Sequence, residues 1–275
     1  MLWLVGVPIG REGDMTPHAV DILKSADVIA AEDTRKALRL FGIHDITPDK
    51  LLSHGAHNEH SSVKGIVNLL MEGKTVAYVS DAGMPCISDP GFLLVRAARA
   101  AGIDVKASGG TSALTMGVAL SGLSSDRFTF LGFLPRQNKA RETLVGTVKE
   151  LPFSLVIYEA PHRILETLAD VERLLGDRNC FVGRELTKTY EEHLTGALSE
   201  VKASLENRKE VLGEFVVVID GAVEGSHLLT DEGLESEILS LLGDGHKVKK
   251  IRDMLKEKTP LSGAELYKKI ETLKS

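Results

Sequence analysis

Charged side chains in this sequence gather beside glycine and proline at a few points. VSDAGMPCISDPG (79–91) holds Asp81 and Asp89 among two Gly and two Pro. AAEDTR (30–35) carries Glu32, Asp33 and Arg35; YEAPHR (158–163) carries Glu159, His162 and Arg163; GRELTK (183–188) carries Arg184, Glu185 and Lys188. VPIG (7–10), SGGTSA (108–113) and GFLPR (132–136) add turn residues without carboxylates. Taken singly, each glycine or proline is explained by turn geometry, and each Arg by an ion pair with the carboxylate or His beside it. Seven such loops together point to one ligand cleft, because ligands of open α/β sheets bind where strands end and helices begin.

The neighbouring segments supply the strands. TVAYV (75–79) is β-branched and apolar, the pattern of a strand buried on both faces of a parallel sheet. WLVGV (3–7), VIAAE (28–32), LLSH (51–54) and DVKAS (104–108) alternate with helices, opened by Thr16-Pro17, by Asp33 and by Asp89-Pro90, and stopped by Gly42 and Gly102. FTFLGFLP (128–135) reads as the last strand of this unit, and QNKARE (137–142) after it as a polar linker. A second α/β unit follows, with strands at 154–159, 179–185 and 214–220 and helices at 139–150, 161–175 and 198–206. GAVEGS (221–226) is a second linker, leading to helices at 231–242, 247–257 and 263–273, the last opened by a capping box from Ser262 to Glu265. The expected domains are 1–135 and 136–222, both α/β, and a helical unit at 231–275.

The 275 residues, 43% hydrophobic, suffice for well-filled cores, and no run reaches the ~18 apolar residues of a membrane span. MLWLVGVPIG lacks a basic region, so it reads as a strand rather than an export signal. Cys86 and Cys180 match no metal spacing and suit a reducing cytoplasm; no His/Asp/Glu grouping suggests a metal. GVPIG is not GxGxxG, and GxxxxGK[ST] is missing, which disfavours dinucleotide and Walker-type phosphate sites. Net charge is −6, yet residues 246–275 carry nine Lys or Arg against four Asp or Glu, leaving −11 for the rest. That basic tail is either a solvated helix pair or a patch that meets nucleic acid.

GVPIG, AAEDTRKALRLFGI, HNE, VSDAGMPCISDPG, GFLP, YEAPHR, RELTKTYEE and GEFVVVIDG, in that order over about 220 residues, resemble the bacterial ribosomal RNA small subunit methyltransferase I family of the tetrapyrrole methylase superfamily. The resemblance implies two α/β domains with S-adenosylmethionine in the cleft between them, a small C-terminal three-helix unit, a cytoplasmic homodimer, and 2'-O-methylation of a cytidine, number 1402, in the 16S rRNA of the small ribosomal subunit. It places Pro8, Asp81, Ala82, Gly83, Ile87, Ser112, Ala113, Phe133, Leu134, Tyr158, Glu159 and Ala160 at the cofactor, with Asp81 at its polar end and Asp89 left as a helix cap.

The reaction so implied is in-line displacement at the methyl carbon, driven mostly by alignment and helped by a base. Glu32, Asp33 and Glu185 are the unranked candidates for that base. Lys188 joins them in the catalytic set and, with Arg35 and Arg184, as a holder of phosphate; Arg163, Lys249, Lys250, Lys268 and Lys269 complete the expected RNA contacts. A tetrapyrrole or other small-molecule methylase and a ligand-sensing nucleic-acid regulator are the alternatives. The family pattern has Gly in place of Cys86, Asn in place of Arg11, and PGPSA where this chain has GGTSA, leaving this last loop less preordered.

Overall fold

The computed structural model describes residues 1–222, 231–256, 258–259 and 261–274. They form two compact units, Met1–Thr147 with Phe153–Asp220, and Val148–Pro152 with Gly221–Ser275.

In the first unit, strands β1 (Leu2–Val5), β2 (Val28–Ala31), β3 (Leu51–Ser53), β4 (Val76–Val79) and β5 (Val105–Ser108) make a fully parallel sheet in the order β3-β2-β4-β1-β5. The period of two explains its apolar strands. Val28, Ala30, Val76 and Tyr78 face one core with Ile66, Leu70, Leu94 and Ala98, while Ile29, Ala31, Ala77 and Val79 face the other with Leu23 and Phe41. Helices α1 (Pro17–Ser25), α2 (Thr34–Ile43), α3 (Glu59–Met71) and α4 (Phe92–Ala100) connect the strands, and α5 (Ala113–Ser121) follows β5. Thr16 caps α1 and Asp33 caps α2, as their sequence positions predict. Gly42 does not stop α2, which runs on to Ile43 and is capped at His44.

The second sheet is mixed, where a further βα series was expected. Strands β6 (Phe128–Phe133), β7 (Ser154–Glu159), β8 (Asn179–Arg184), β9 (Glu192–Ala197) and β10 (Phe215–Ile219) lie in the order β6-β7-β10-β8-β9, and β6-β7 is its one parallel pair. Helices α6 (Asn138–Val148), α7 (Ile164–Leu175) and α8 (Leu198–Glu206) belong to this half. β6, read from sequence as the last strand of the first half, pairs with β7 instead. β9 carried no sequence signal, because EHLTGA is a half-buried edge strand with polar residues on both faces. Residues 138–142, expected as linker, open α6. Asn138, Lys139 and Glu142 are exposed, while the 1%-exposed Arg141 turns inward and donates to Glu166 and Asp170.

Helix α5 packs on the second sheet so closely that a Cβ on Gly117 would lie 2.8 Å from Val216 Cγ2. In the second unit, α9 (Asp231–Gly243), α10 (Val248–Leu255) and α11 (Gly263–Lys274) share a core of Leu234, Ile238, Val248, Ile251, Leu255, Leu266 and Ile270. Ser262 and Glu265 exchange the expected capping-box bonds. The linker reading at 221–226 falls mostly outside the described residues.

Candidate active site

The loop after β4 is shaped by its backbone. Val7 and Gly83 exchange N–H to carbonyl bonds of 2.9 and 3.1 Å, and Cys86 N–H donates to Pro90 carbonyl, closing the loop on itself. Gly83, Cys86, Ser88 and Gly91 all have positive φ. Only glycine adopts that region without strain, so two non-glycine residues there mark a conformation held by its surroundings. A Cβ on Gly91 would lie 2.6 Å from the Tyr78 ring, so the loop presses on the sheet.

Asp89 does not cap the helix. Gly91 is the N-cap of α4, and the donors at this end, Gly91 N–H and Leu93 N–H, go to Glu59 Oε1 of α3 at 2.9 and 3.1 Å. The Asp89 carboxyl instead lines a cavity of about 410 Å³, a size common for small-molecule sites. Burial pushes its pKa up to about 7, aided by the negative charges of Glu32 and Asp81 and opposed by the Ser80 hydroxyl.

The same cavity is lined by Ala82, Gly83, Ile87, Ser112, Ala113, Phe133, Tyr158, Glu159, Ala160, Glu185 and Lys188, eleven of the sixteen residues expected at the cofactor or in catalysis. Tyr158 fixes the entry of α5, its hydroxyl accepting from Leu114 N–H at 2.8 Å, with Phe130 and Phe133 edge-on to its ring. Gly110 allows the β5–α5 turn to approach β1: a Cβ there would sit 2.7 Å from the Gly6 carbonyl carbon. Glu159 is 1% exposed, and its carboxylate accepts from Ala160 N–H and Thr167 Oγ1, so it braces the start of α7.

Pro8 and Asp81 line an adjoining cavity that shares Ile9, Ala82, Lys188 and Glu214 with the first. Asp81 is already neutralised, accepting from Lys36 Nζ at 2.7 Å and Asp33 N–H at 3.0 Å. Leu134 is buried beyond the wall, and its carbonyl accepts from Arg163.

Of the three base candidates, Glu32 and Asp33 sit together at Asp81 and Glu185 lines the cavity. Asp33 is held well below the usual carboxylate range by hydrogen bonds from Arg35 while it caps α2. Glu32 accepts from Asp81 N–H behind the loop, and burial raises its pKa. Glu185, at φ 52°, lines the cavity and accepts from Lys188 Nζ and Glu214 N–H, both at 2.9 Å. Burial works to raise Glu185, and those two bonds outweigh it and lower its pKa.

Among the expected RNA contacts, Arg163 is partly buried and held by the Leu134 carbonyl and Glu159, Arg184 is held by Leu212 carbonyl and Glu192, and Lys269 by Glu235 and Asp231. Arg35, though paired with Asp33, is 89% exposed at its side chain, and Lys249, Lys250 and Lys268 are exposed. Sequence reasoning missed Ile9, Met84, Ser88, Asp89, Leu186, Phe215 and Val216 on the cavity wall. For Asp89 the misleading signal was Asp-Pro-Gly, which reads as a cap; the displacing cap, Glu59, lies thirty residues upstream with nothing local to announce it.

Residues 1–202 match the sequence profile of the Tetrapyrrole (Corrin/Porphyrin) Methylases. A ribosomal RNA small subunit methyltransferase I of Micromonospora olivasterospora is 39% identical over 98% of this chain and 86% of its own length. One from Synechocystis is 41% identical over 97% of this chain and 96% of its own. The fold is also similar to that of uroporphyrin-III C-methyl transferase from Thermus thermophilus complexed with S-adenyl homocysteine, at a TM-score of 0.55 and 16% identity over 79% of this chain and 96% of that one. The chain therefore belongs to the tetrapyrrole methylase family and, within it, to the ribosomal RNA small subunit methyltransferase I group.

Proposed function

We propose that this protein is an S-adenosylmethionine-dependent ribosomal RNA methyltransferase, and that its product is the 2'-O-methylated ribose of a cytidine, number 1402, in 16S rRNA. The observation that carries the reading is near-full-length similarity to relatives of that name in a chain whose strand-end loops enclose a cofactor-sized cavity. The cavity's chemistry fits the cofactor: apolar walls from Ile9, Ile87 and Phe133, the start of α5 at Ser112 and Ala113, and a carboxyl at Asp89 with no cationic partner among the described residues. When bound, the cofactor supplies an electrophilic methyl group.

Ala82, Gly83, Ile87, Ser112, Ala113 and Tyr158 hold and orient it, and most of the acceleration comes from that alignment. Glu185, the one base candidate on the cavity wall, is held in position by Lys188 to receive the hydroxyl proton. Exposed Arg35, Lys249, Lys250 and Lys268 offer positive charge to RNA phosphates. The protein acts on the small ribosomal subunit in the cytoplasm, as a homodimer.

Mass spectrometry of 16S rRNA from cells lacking the protein tests this directly. Loss of one ribose methyl at a cytidine, restored by the wild-type chain and not by Glu185→Gln, is the expected result. An unchanged methylation map overturns the reading.

A further inference from the structure

Asp89, Glu159, Glu185 and Glu214 line this cavity and Asp81 the adjoining one, and four of these five already have their charge answered. Asp81 is met by Lys36, Glu159 by Arg163, Glu185 by Lys188, and Glu214 by Lys188. Asp89 is the exception. Among the described residues, the groups that act on it are neutral or acidic: the Ser80 hydroxyl, Glu32 just after β2, Asp81, and Tyr78, Cys86 and Tyr158, whose own ionisation its charge opposes; Lys188 and His162 line the same cavity without pairing with it. The loop reaches this arrangement through positive φ at Cys86 and Ser88, and Glu59 takes over the capping task that Asp89 would otherwise perform. A carboxyl held half-buried against apolar side chains, with its local duty transferred elsewhere, is electrostatically incomplete until a cation arrives.

Resting on the methyltransferase reading, we propose that Asp89 is the counter-charge of the cofactor's sulfonium, and that it makes this site hold the charged cofactor more tightly than the uncharged-sulfur product. A methylsulfonium offers no N–H or O–H to a partner, so it is matched by a carboxylate in an apolar wall rather than by a hydrogen-bonding network. The α-ammonium and the ribose hydroxyls are common to S-adenosylmethionine and S-adenosylhomocysteine, so a group that served them would not tell the two ligands apart. Discrimination between cofactor and product has to come from the sulfur end.

The proposal couples binding to a proton. With its pKa pushed up to about 7, Asp89 is partly protonated in the free protein near neutral pH. A bound sulfonium favours the carboxylate, so the carboxyl proton leaves to solvent as the cation binds. The same coupling argues against Asp89 as the base for the hydroxyl, since the bound cation lowers the basicity that such a role needs.

Isothermal titration of the wild-type protein with each ligand, in buffers of different ionisation enthalpy, measures the proton directly. Near pH 7, S-adenosylmethionine should release a substantial fraction of a proton more than S-adenosylhomocysteine, and the share due to Asp89 should shrink as pH rises above its pKa. The amino groups of both ligands are largely protonated near pH 7 and nearly cancel there. In Asp89→Asn the excess proton should disappear, with affinity for S-adenosylmethionine falling about 10–100-fold and that for S-adenosylhomocysteine changing less than about threefold.

Equal proton release by the two ligands, or an equal loss of both in the variant, overturns the sulfonium assignment while leaving the methyltransferase reading intact. Failure of the wild-type protein to bind either ligand would remove that reading itself. The wild-type proton count stands alone should the variant not fold.

Discussion

The loops at residues 80–91 and 184–188 meet one cavity with the same backbone device and opposite charge arrangements. Each places two non-glycine residues at positive φ, Cys86 and Ser88 in the first, Glu185 and Thr187 in the second. In the second loop the polar groups are closed among themselves: Glu185 with Lys188 and Glu214, Arg184 with Glu192, Thr187 N–H with Glu191. In the first, Asp89 has no cationic partner among the described residues. Backbone strain thus marks both loops as shaped for a site, and charge pairing tells them apart. The closed loop is a preorganised wall, and the open one awaits a positively charged ligand.

The sharpest break of this contrast is Asp89→Asn in the ligand-free protein. Its folded pKa lies above the unfolded one, so the folded state holds its proton more tightly. Stability from this group is intact below the unfolded pKa of about 3.9 and declines as pH rises to about 7. Asn carries no such charge. The variant should gain roughly 1–3 kcal/mol over wild type at alkaline pH, discounted for partial exposure, and almost nothing near pH 4. Denaturant melts at the two pH values check it, and a pH-independent difference would mean that Asp89 is not the strained charge.

Lys188→Met should act in the opposite direction and more weakly. It leaves Glu185 its bond from Glu214 N–H and removes the ammonium that both carboxylates share. With Lys188 29% exposed and Glu214 78% exposed, the expected cost is about 1–2 kcal/mol, together with a rise in the Glu185 pKa. A loss that persists unchanged in high salt would show the side chain's packing, rather than its charge, to be what the wall needs.

Cys86 offers a smaller test of the open loop. The resemblance places Gly there, and the φ of 72° supplies the reason that sequence alone could not. Cys86→Gly relieves left-handed strain and gives up the burial of a half-buried thiol, two effects of about 1 kcal/mol each. Stability should move by less than about 1 kcal/mol. Amide exchange in residues 84–90 should quicken, because glycine restores freedom to the unfolded loop.

Legibility in the sequence followed the range of the interactions. The parallel sheet was readable because VIAA and VAYV are apolar on both faces, and the caps at Thr16, Asp33 and Ser262 because their partners lie within four residues. The cavity wall was readable through resemblance, loop by loop. Features set by distant partners were not. Glu59 displaces Asp89 from across the fold, Arg141 is drawn into an ion cluster by Glu166 and Asp170 of α7, and β9 is held at a polar edge by its pairing with β8. Arg163, Arg184 and Lys269 read as RNA contacts because the groups that hold them, the Leu134 and Leu212 carbonyls and Glu235, lie far from them in sequence.

Thr187 gives the finest test of the closed loop. It sits at φ 66°, where a β-branched side chain is disfavoured, yet its hydroxyl accepts from Arg11 N–H at 3.2 Å and ties this loop to the one after β1. Asn tolerates the left-handed region better and keeps a side-chain oxygen for Arg11. Thr187→Asn should therefore stabilise the protein by a few tenths to about 1 kcal/mol, and Thr187→Gly should gain less because it loses that acceptor and loosens the unfolded chain. Parallel denaturant melts of the two variants decide the matter. If Gly proves the better substitute, the tie to Arg11 contributes nothing, and the strain in this loop belongs to its turn alone rather than to the joining of two cavity loops.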